Sequence, residues 1–197
     1  HISAFIDTWL ASFLISGSIS YLYYANRVFQ LPLAIFAIAT SIALFPMIAK
    51  AIKNKDENRA LHLMKKSSLI LFAVLSTSML IGIVFNEFIV KLLFERGAFN
   101  SVDTQNTALI LTMYLMGLLP FGLAKIFSLW LYANEQQYLS AKISMKSLAW
   151  NIVFSLILIK PYGAAGLAFA STLSGFILFF LTIKAFGFNK FITMYKK

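Results

Sequence analysis

The stretch SGSISYLYYANRVFQLPLAIFAIATSIALFPMIAK, residues 16–50, decides the fold. Between its ends Arg27 is the only charged residue. A helix needs about 20 apolar residues, rising about 1.5 Å each, to cross a hydrocarbon core about 30 Å thick. A strand is normally about 5–6 residues long, far too short to account for such a run. The segment reads as a transmembrane helix, long for one crossing and interrupted by Pro32 and Pro46. Proline removes a donor and tends to kink a helix. The freed carbonyls need partners from neighbouring helices, because lipid supplies none.

The rest of the 197-residue chain repeats this pattern. Residues 8–26, 28–49, 67–86, 104–124 and 161–183 each lack Asp, Glu, Lys and Arg, and a further apolar run ends at Lys160-Pro161. Spans are expected at about 2–17, 20–49, 66–94, 104–133, 139–159 and 163–185. Sixty per cent of the residues are hydrophobic and 12% are charged, against about 25% charged in a soluble domain. The mean hydropathy is +0.81. The fold class is therefore all-α: a polytopic membrane bundle of six helices, taken as one unit over residues 1–197. Cysteine is absent, which excludes disulfides, thiol catalysis and Cys-based metal sites. His1 stands where Met would open a complete protein, and no cleavable leader follows. The expectation is a chain that begins inside a larger protein.

Seventeen Lys and Arg face seven Asp and Glu, giving net +10. Their placement is informative. Lys50, Lys53, Lys55, Arg59, Lys65, Lys66, Lys142, Lys146, Lys184, Lys190, Lys196 and Lys197 fall in one alternating set of connections; only Lys91, Arg96 and Lys160 fall in the other. Basic loops stay cytoplasmic, so the connections after spans two, four and six are assigned there. The positive charge then reflects topology and attraction to anionic membrane lipid, not nucleic-acid binding. Tyr21, Tyr23, Tyr24 and Tyr162 are expected at the outer interface, and Tyr132, Tyr138 and Tyr195 at the inner one. The basic segment 50–66 has two readings: a short amphipathic helix on the membrane surface, or helical extensions of its flanking spans.

Asp7, Arg27 and Lys125 interrupt membrane-depth sequence. A charge near mid-bilayer costs about 2.5–3.5 kcal/mol on insertion scales, so such residues face cavities or one another. Asn26 and Gln30 flank Arg27 on the helix. Arginine binds phosphate with two parallel hydrogen bonds and lysine acts as a point charge, so this group suits an anionic, phosphate-bearing substrate. Snorkelling to the interface, or an Asp–Arg ion pair, is the plainer reading. Asn151 and Ser155 share a helix face, and Ser171, Thr172 and Ser174 cluster in the last span. With Asp7 they form either an oxygen-lined cation site or ordinary polar helix packing, the commoner use of such residues. No HExxH, Walker loop, GxSxG or carboxylate cluster is present, which argues for transport over catalysis.

Residues 16–50, together with LLFERGAFNSVDTQNTA (92–108), GLLPFGLAKIFSLWLYANEQQYLSAKI (117–143) and NIVFSLILIKPYGAAGLAFASTLSG (151–175), resemble the MurJ (MviN) family of bacterial lipid II flippases, in the same order and spacing. The resemblance covers essentially the whole chain. It implies helices seven to twelve of a fourteen-helix protein of the MOP exporter superfamily, with an N-terminal lobe of the same chain completing the cavity. It implies alternating-access transport of lipid II, an undecaprenyl-diphosphate-linked precursor, across the bacterial inner membrane for cell-wall synthesis, with no enzymatic step. Related exporters of other lipid-linked polysaccharides or drugs share the layout, and a membrane enzyme or scaffold is the reading from another class. By resemblance Arg27 in YYANR engages the substrate diphosphate and Lys125 in FGLAKI is a functionally important lysine lining the same cavity; with Asn26 and Gln30 they are expected to bind the substrate. Asp7, Asn151, Ser155, Leu167 (through its carbonyl) and Ser171 correspond to a Na⁺ site found in some members. Asn26, Gln30 and Ser155 stand where members of the family carry acids, which leaves Asp7 as the one carboxylate of that set.

Overall fold

The computed structural model describes residues 2–14 and 17–197. His1, Ile15 and Ser16 lie outside the described residues, and with them the end expected for the first span and the reading of residue 1. Every regular element among the described residues is helical. Helix α1 covers Ile2–Ala11. Helix α2, Ser18–Pro32, runs without interruption through a π-helical turn, Leu33–Ile38, into α3, Ala39–Lys53. The irregularity follows directly on Pro32. The Ala39 N–H reaches back five residues to the Ala34 carbonyl, so the ladder is widened there.

Helix α4, Glu57–Val84, begins at Asp56, whose side chain accepts from the Arg59 N–H at 3.1 Å. Residues 50–66 are thus extensions of α3 and α4 around a tight turn, which decides between the two readings of that segment. Phe85 separates α4 from α5, Asn86–Phe94. Helix α6, Ser101–Leu115, is followed after a one-turn break at Gly117 by α7, Leu118–Ala133.

Helix α8, Gln137–Phe186, has 50 residues. At about 1.5 Å per residue a straight helix of that length would be more than twice the hydrocarbon thickness. It is two arms. Gly163 takes φ 62°, ψ −135°, a conformation open to glycine and costly for other residues. Beyond it the arms lie side by side, with the Ser147 hydroxyl donating to the Ser174 carbonyl at 2.8 Å. The return is tight: a Cβ on Gly166 would sit 2.4 Å from the Leu158 carbonyl oxygen. These arms are the two spans expected at 139–159 and 163–185. Helix α9, Phe188–Lys196, closes the described chain.

The expected topology can be checked at both ends. At one end the starts of α4 and α9 meet the ends of α7 and α8. Lys190 lies 3.8 Å from Glu57 and stacks over the rings of Trp130 and Phe186 at 4.5 and 5.4 Å. The connections after spans two, four and six therefore share one face. At the opposite end α2 and α6 begin together. The Tyr21 hydroxyl donates to Asp103 Oδ1 at 2.7 Å, while Asp103 Oδ2 accepts from the Asn100 N–H at 2.9 Å and completes the cap of α6. Tyr21 is consequently buried, not an interfacial anchor as its position suggested. Tyr24 packs on Phe94 and Phe99, whereas Tyr23, Tyr162 and Tyr138 remain exposed.

The core lies along α6 and α7, with Leu111, Leu118, Ile126, Phe127 and Leu131 almost completely buried. Several polar side chains bond across it, although the buried Thr107 hydroxyl has no partner. Thr172 donates to the Met113 carbonyl at 2.5 Å, and Asn86 donates to Thr112 Oγ1 at 2.9 Å. Bonds of this kind tie helices together where water is scarce.

Candidate functional site

Helices α1 and α2, the α6–α7 junction and the second arm of α8 enclose a cavity of about 1030 Å³. Asp7, Asn26, Arg27, Gln30, Tyr114, Phe121, Lys125 and Ser171 line it, along with Tyr23 and Tyr24. The residues singled out at 7, 26, 27, 30, 125 and 171 thus converge on one space although they span most of the chain. Asn151, Ser155 and Leu167 are buried on α8 and are not in the lining. There the Ser155 hydroxyl donates to Asn151 Oδ1 at 3.4 Å.

Arg27 and Lys125 are both exposed to this space. The Arg27 guanidinium donates to the Tyr23 hydroxyl, one helical turn back, and lies 4.8 Å from the centre of that ring. Gln30 Nε2 donates to Asn26 Oδ1 at 2.8 Å. These i, i+4 pairs hold two adjacent polar groups along one face of α2. Among the described residues the ion pair within 4 Å is Lys190–Glu57. Neither cavity cation is neutralised by a carboxylate, and the Asp7–Arg27 pair considered above does not form.

Asp7 is 6% exposed and its Oδ1 has no hydrogen-bond partner. An unpaired buried polar atom costs about 1–3 kcal/mol, more for a charged group. Ser171 and Tyr114 line the same cavity. No group of three or more His, Cys, Asp or Glu side chains gathers among the described residues.

Tyr114 was not apparent from the sequence. It is 4% exposed, stacks on Phe29 with ring centres 5.7 Å apart, and lines the cavity together with Asn26. It therefore joins α6 to α2 through Phe29, beside the Asn26–Gln30 pair. The available signal was a lone tyrosine far from either end of an otherwise apolar span. Tyr23 was legible only as an interfacial residue, although its i−4 relation to Arg27 sets the arginine's direction.

Taken together, the bundle defines a multi-pass α-helical membrane protein carrying an open, cationic cavity on one flank. The model of the family described as lipid II flippase MurJ matches residues 1–196, and the chain belongs to that family. Two Helicobacter pylori proteins, each named probable lipid II flippase MurJ, are 54% identical over 195 residues, covering 99% of this chain and 42% of theirs. A Rhizobium meliloti protein of the same name is 34% identical over 177 residues, covering 89% of this chain and 33% of its own. A solved structure described as lipid II flippase MurJ in an inward closed conformation superposes with a TM-score of 0.86 at 26% identity, covering 99% of this chain and 44% of that one. The chain spans less than half the length of these relatives.

Proposed function

We propose that this chain forms one lobe of a flippase that carries lipid II across the bacterial inner membrane. The observation that carries the reading is the convergence of Arg27 and Lys125, without carboxylate partners, on one cavity. A diphosphate esterified at both ends carries one negative charge on each phosphate, and two cations without carboxylate partners answer it. Arg27 offers a planar fork whose direction Tyr23 sets; Lys125, on α7 across the cavity, adds a point charge. Asn26 and Gln30 supply amide donors and acceptors beside the fork. The other lobe of the full protein closes the open flank, and rocking of the two lobes exposes the site to each side in turn. The reading assigns no chemical step to these residues.

Asp7 supplies the second element. A monovalent cation near its unpartnered oxygen, with the Ser171 hydroxyl contributing, would relieve the desolvated carboxylate; Asn151, Ser155 and the Leu167 carbonyl stand behind it on α8. Na⁺ fits such an all-oxygen set. A cation here couples to the substrate cavity because the two share walls.

The test uses the full-length protein in cells depleted of their own lipid II flippase. Arg27→Ala and Lys125→Ala each remove about 1.5–3 kcal/mol of charge-assisted binding and are expected to abolish complementation at normal protein levels. Normal growth of the double variant overturns the diphosphate assignment. For the cation, Na⁺ is expected to raise the unfolding temperature of the purified full-length protein and to lose that effect in Asp7→Ala. An unchanged Na⁺ response in that variant rejects the site.

A further inference from the structure

A second cavity, about 540 Å³, lies at the opposite end of the molecule from the α2–α6 cap, between the start of α4 and helix α9. Its walls are two helical stripes. Asn58, Leu61, His62 and Lys65 recur at i, i+3, i+4 and i+7 along α4. Asn189, Lys190, Thr193, Met194 and Lys197 recur at i, i+1, i+4, i+5 and i+8 along and just beyond α9. That spacing turns each set toward the other. Leu61 and Met194 form an apolar floor, while three ammonium groups, two amides and a hydroxyl stand around it. No carboxylate lines the groove. Glu57, beside it, approaches Lys190 at 3.8 Å, too far for a short hydrogen-bonded pair.

Helix α9 is held in place independently of any ligand. Tyr195 meets the Ser68 hydroxyl at 2.5 Å, and Phe191 packs edge-on against Phe127 at 5.5 Å. Lys190 is fixed over Trp130 and Phe186. The face of α9 opposite the groove carries Phe188 and Ile192, which are 42% and 50% exposed. A short helix with an apolar face and a lysine-bearing polar stripe suits the plane of a membrane surface. This is the end at which the basic connections gather, where the inner leaflet's anionic headgroups would lie.

We propose that the groove between α4 and α9 binds the phosphate of an anionic phospholipid headgroup. Lys65, Lys190 and Lys197 supply the charge, Asn58, Asn189 and Thr193 the neutral donors. The chemistry, a phosphate monoanion or dianion among amines and amides, is shared with inorganic phosphate. Leu61 and Met194, which line the groove itself, give the glycerol and first acyl carbons of a lipid an apolar surface beside the headgroup, and Phe188 and Ile192 on the far face seat α9 in the interface, so the lipid is favoured.

Thermal unfolding of the full-length protein in a neutral detergent provides the test. It is titrated in turn with dioctanoyl phosphatidylglycerol, dioctanoyl phosphatidylcholine and inorganic phosphate. Phosphatidylglycerol is expected to raise the transition temperature saturably, and the other two to leave it unmoved. Removing each lysine should weaken the apparent affinity about fivefold. The variant Lys65→Gln/Lys197→Gln keeps Lys190 and its packing, so it reads the site without disturbing α9. The control Lys142→Gln/Lys146→Gln removes charge from the same end but outside the groove, and should bind as the parent does. Unchanged affinity in the groove variant, an equal loss in the control, or an equal shift with inorganic phosphate each overturns the proposal.

Discussion

Ser18–Lys53 and Ser101–Ala133 are both long and apolar enough to cross a membrane, with mean hydropathies of 2.2 and 1.8 over their most apolar windows, yet 17% of the first window and 61% of the second is buried in the protein. The less apolar stretch is the core. In water the order would be reversed. Lipid tails are as apolar as leucine, so hydrophobicity does not choose which helix goes inside. Close approach and internal hydrogen bonds choose instead. The α6–α7 post offers the Thr104–Glu95 and Asn86–Thr112 hydrogen bonds and a close approach of the Leu75 side chain at Gly122; the α2–α3 wall shows Leu31, Ile35 and Ile42 to its surroundings at 55%, 60% and 72% exposure.

The contrast can be broken by matched truncations in the full-length protein, followed by thermal unfolding. Leu111→Ala, at a site with no exposure, is expected to cost about 2–5 kcal/mol, as large-to-small changes in packed cores do. Gly122→Ala comes next. Its Cβ would lie 2.3 Å from a Leu75 methyl, with Ala37 of the wall 3.5 Å away. Leu75 is itself fully buried and has little room to move, so a loss of about 1–3 kcal/mol is expected. Tyr21→Phe removes the hydroxyl that ties wall to post at Asp103 and should cost about 1 kcal/mol. It should also speed hydrogen exchange at the start of α2 while leaving α7 protected. Ile42→Ala, on the wall, should fall within about 0.5 kcal/mol of the parent. If Ile42→Ala cost as much as Leu111→Ala, the wall would be as tightly packed as the post and the distinction would fail.

Much of this architecture was readable in advance, because charge is so costly in hydrocarbon that it marks the ends of every span. The uncharged runs placed the helices, and the skewed lysines ordered the connections, as the contact between Lys190 and Glu57 bears out. Lys160-Pro161, where an apolar run ends, marked the break between the two arms of α8. Facing was harder to read. Arg27, Lys125 and Asp7 stood out as misplaced charges, and the fold brings all three to one cavity. Tyr114 carries no charge and lies in a span with no clear polar stripe, so its place mid-span hinted at a role but its facing was unreadable until α2 was laid against α6. Tyr21 was mistaken for a headgroup anchor for a related reason. A tyrosine near the end of a span can point outward to lipid or inward to a carboxylate, and only the position of Asp103, 82 residues away, decides which. Helix α9 lay in a tail too short and too charged to register as a span.

The π-helical turn after Pro32 has a consequence for how this wall can vary. A turn closed five residues back contains, in effect, one residue more than the surrounding coil requires, and each added residue rotates everything beyond it by about 100°. Arg27 lies before that turn. The stripe by which α3 grips the bundle, Leu44, Ile48 and Ala51, lies after it. The widened turn absorbs that rotation, so the cavity face and the gripping stripe keep the relation they would have in a regular helix one residue shorter. Deleting a single position here would mend the helix and leave Arg27 on the cavity, so a one-residue deletion is better tolerated at this turn than elsewhere in α2 or α3.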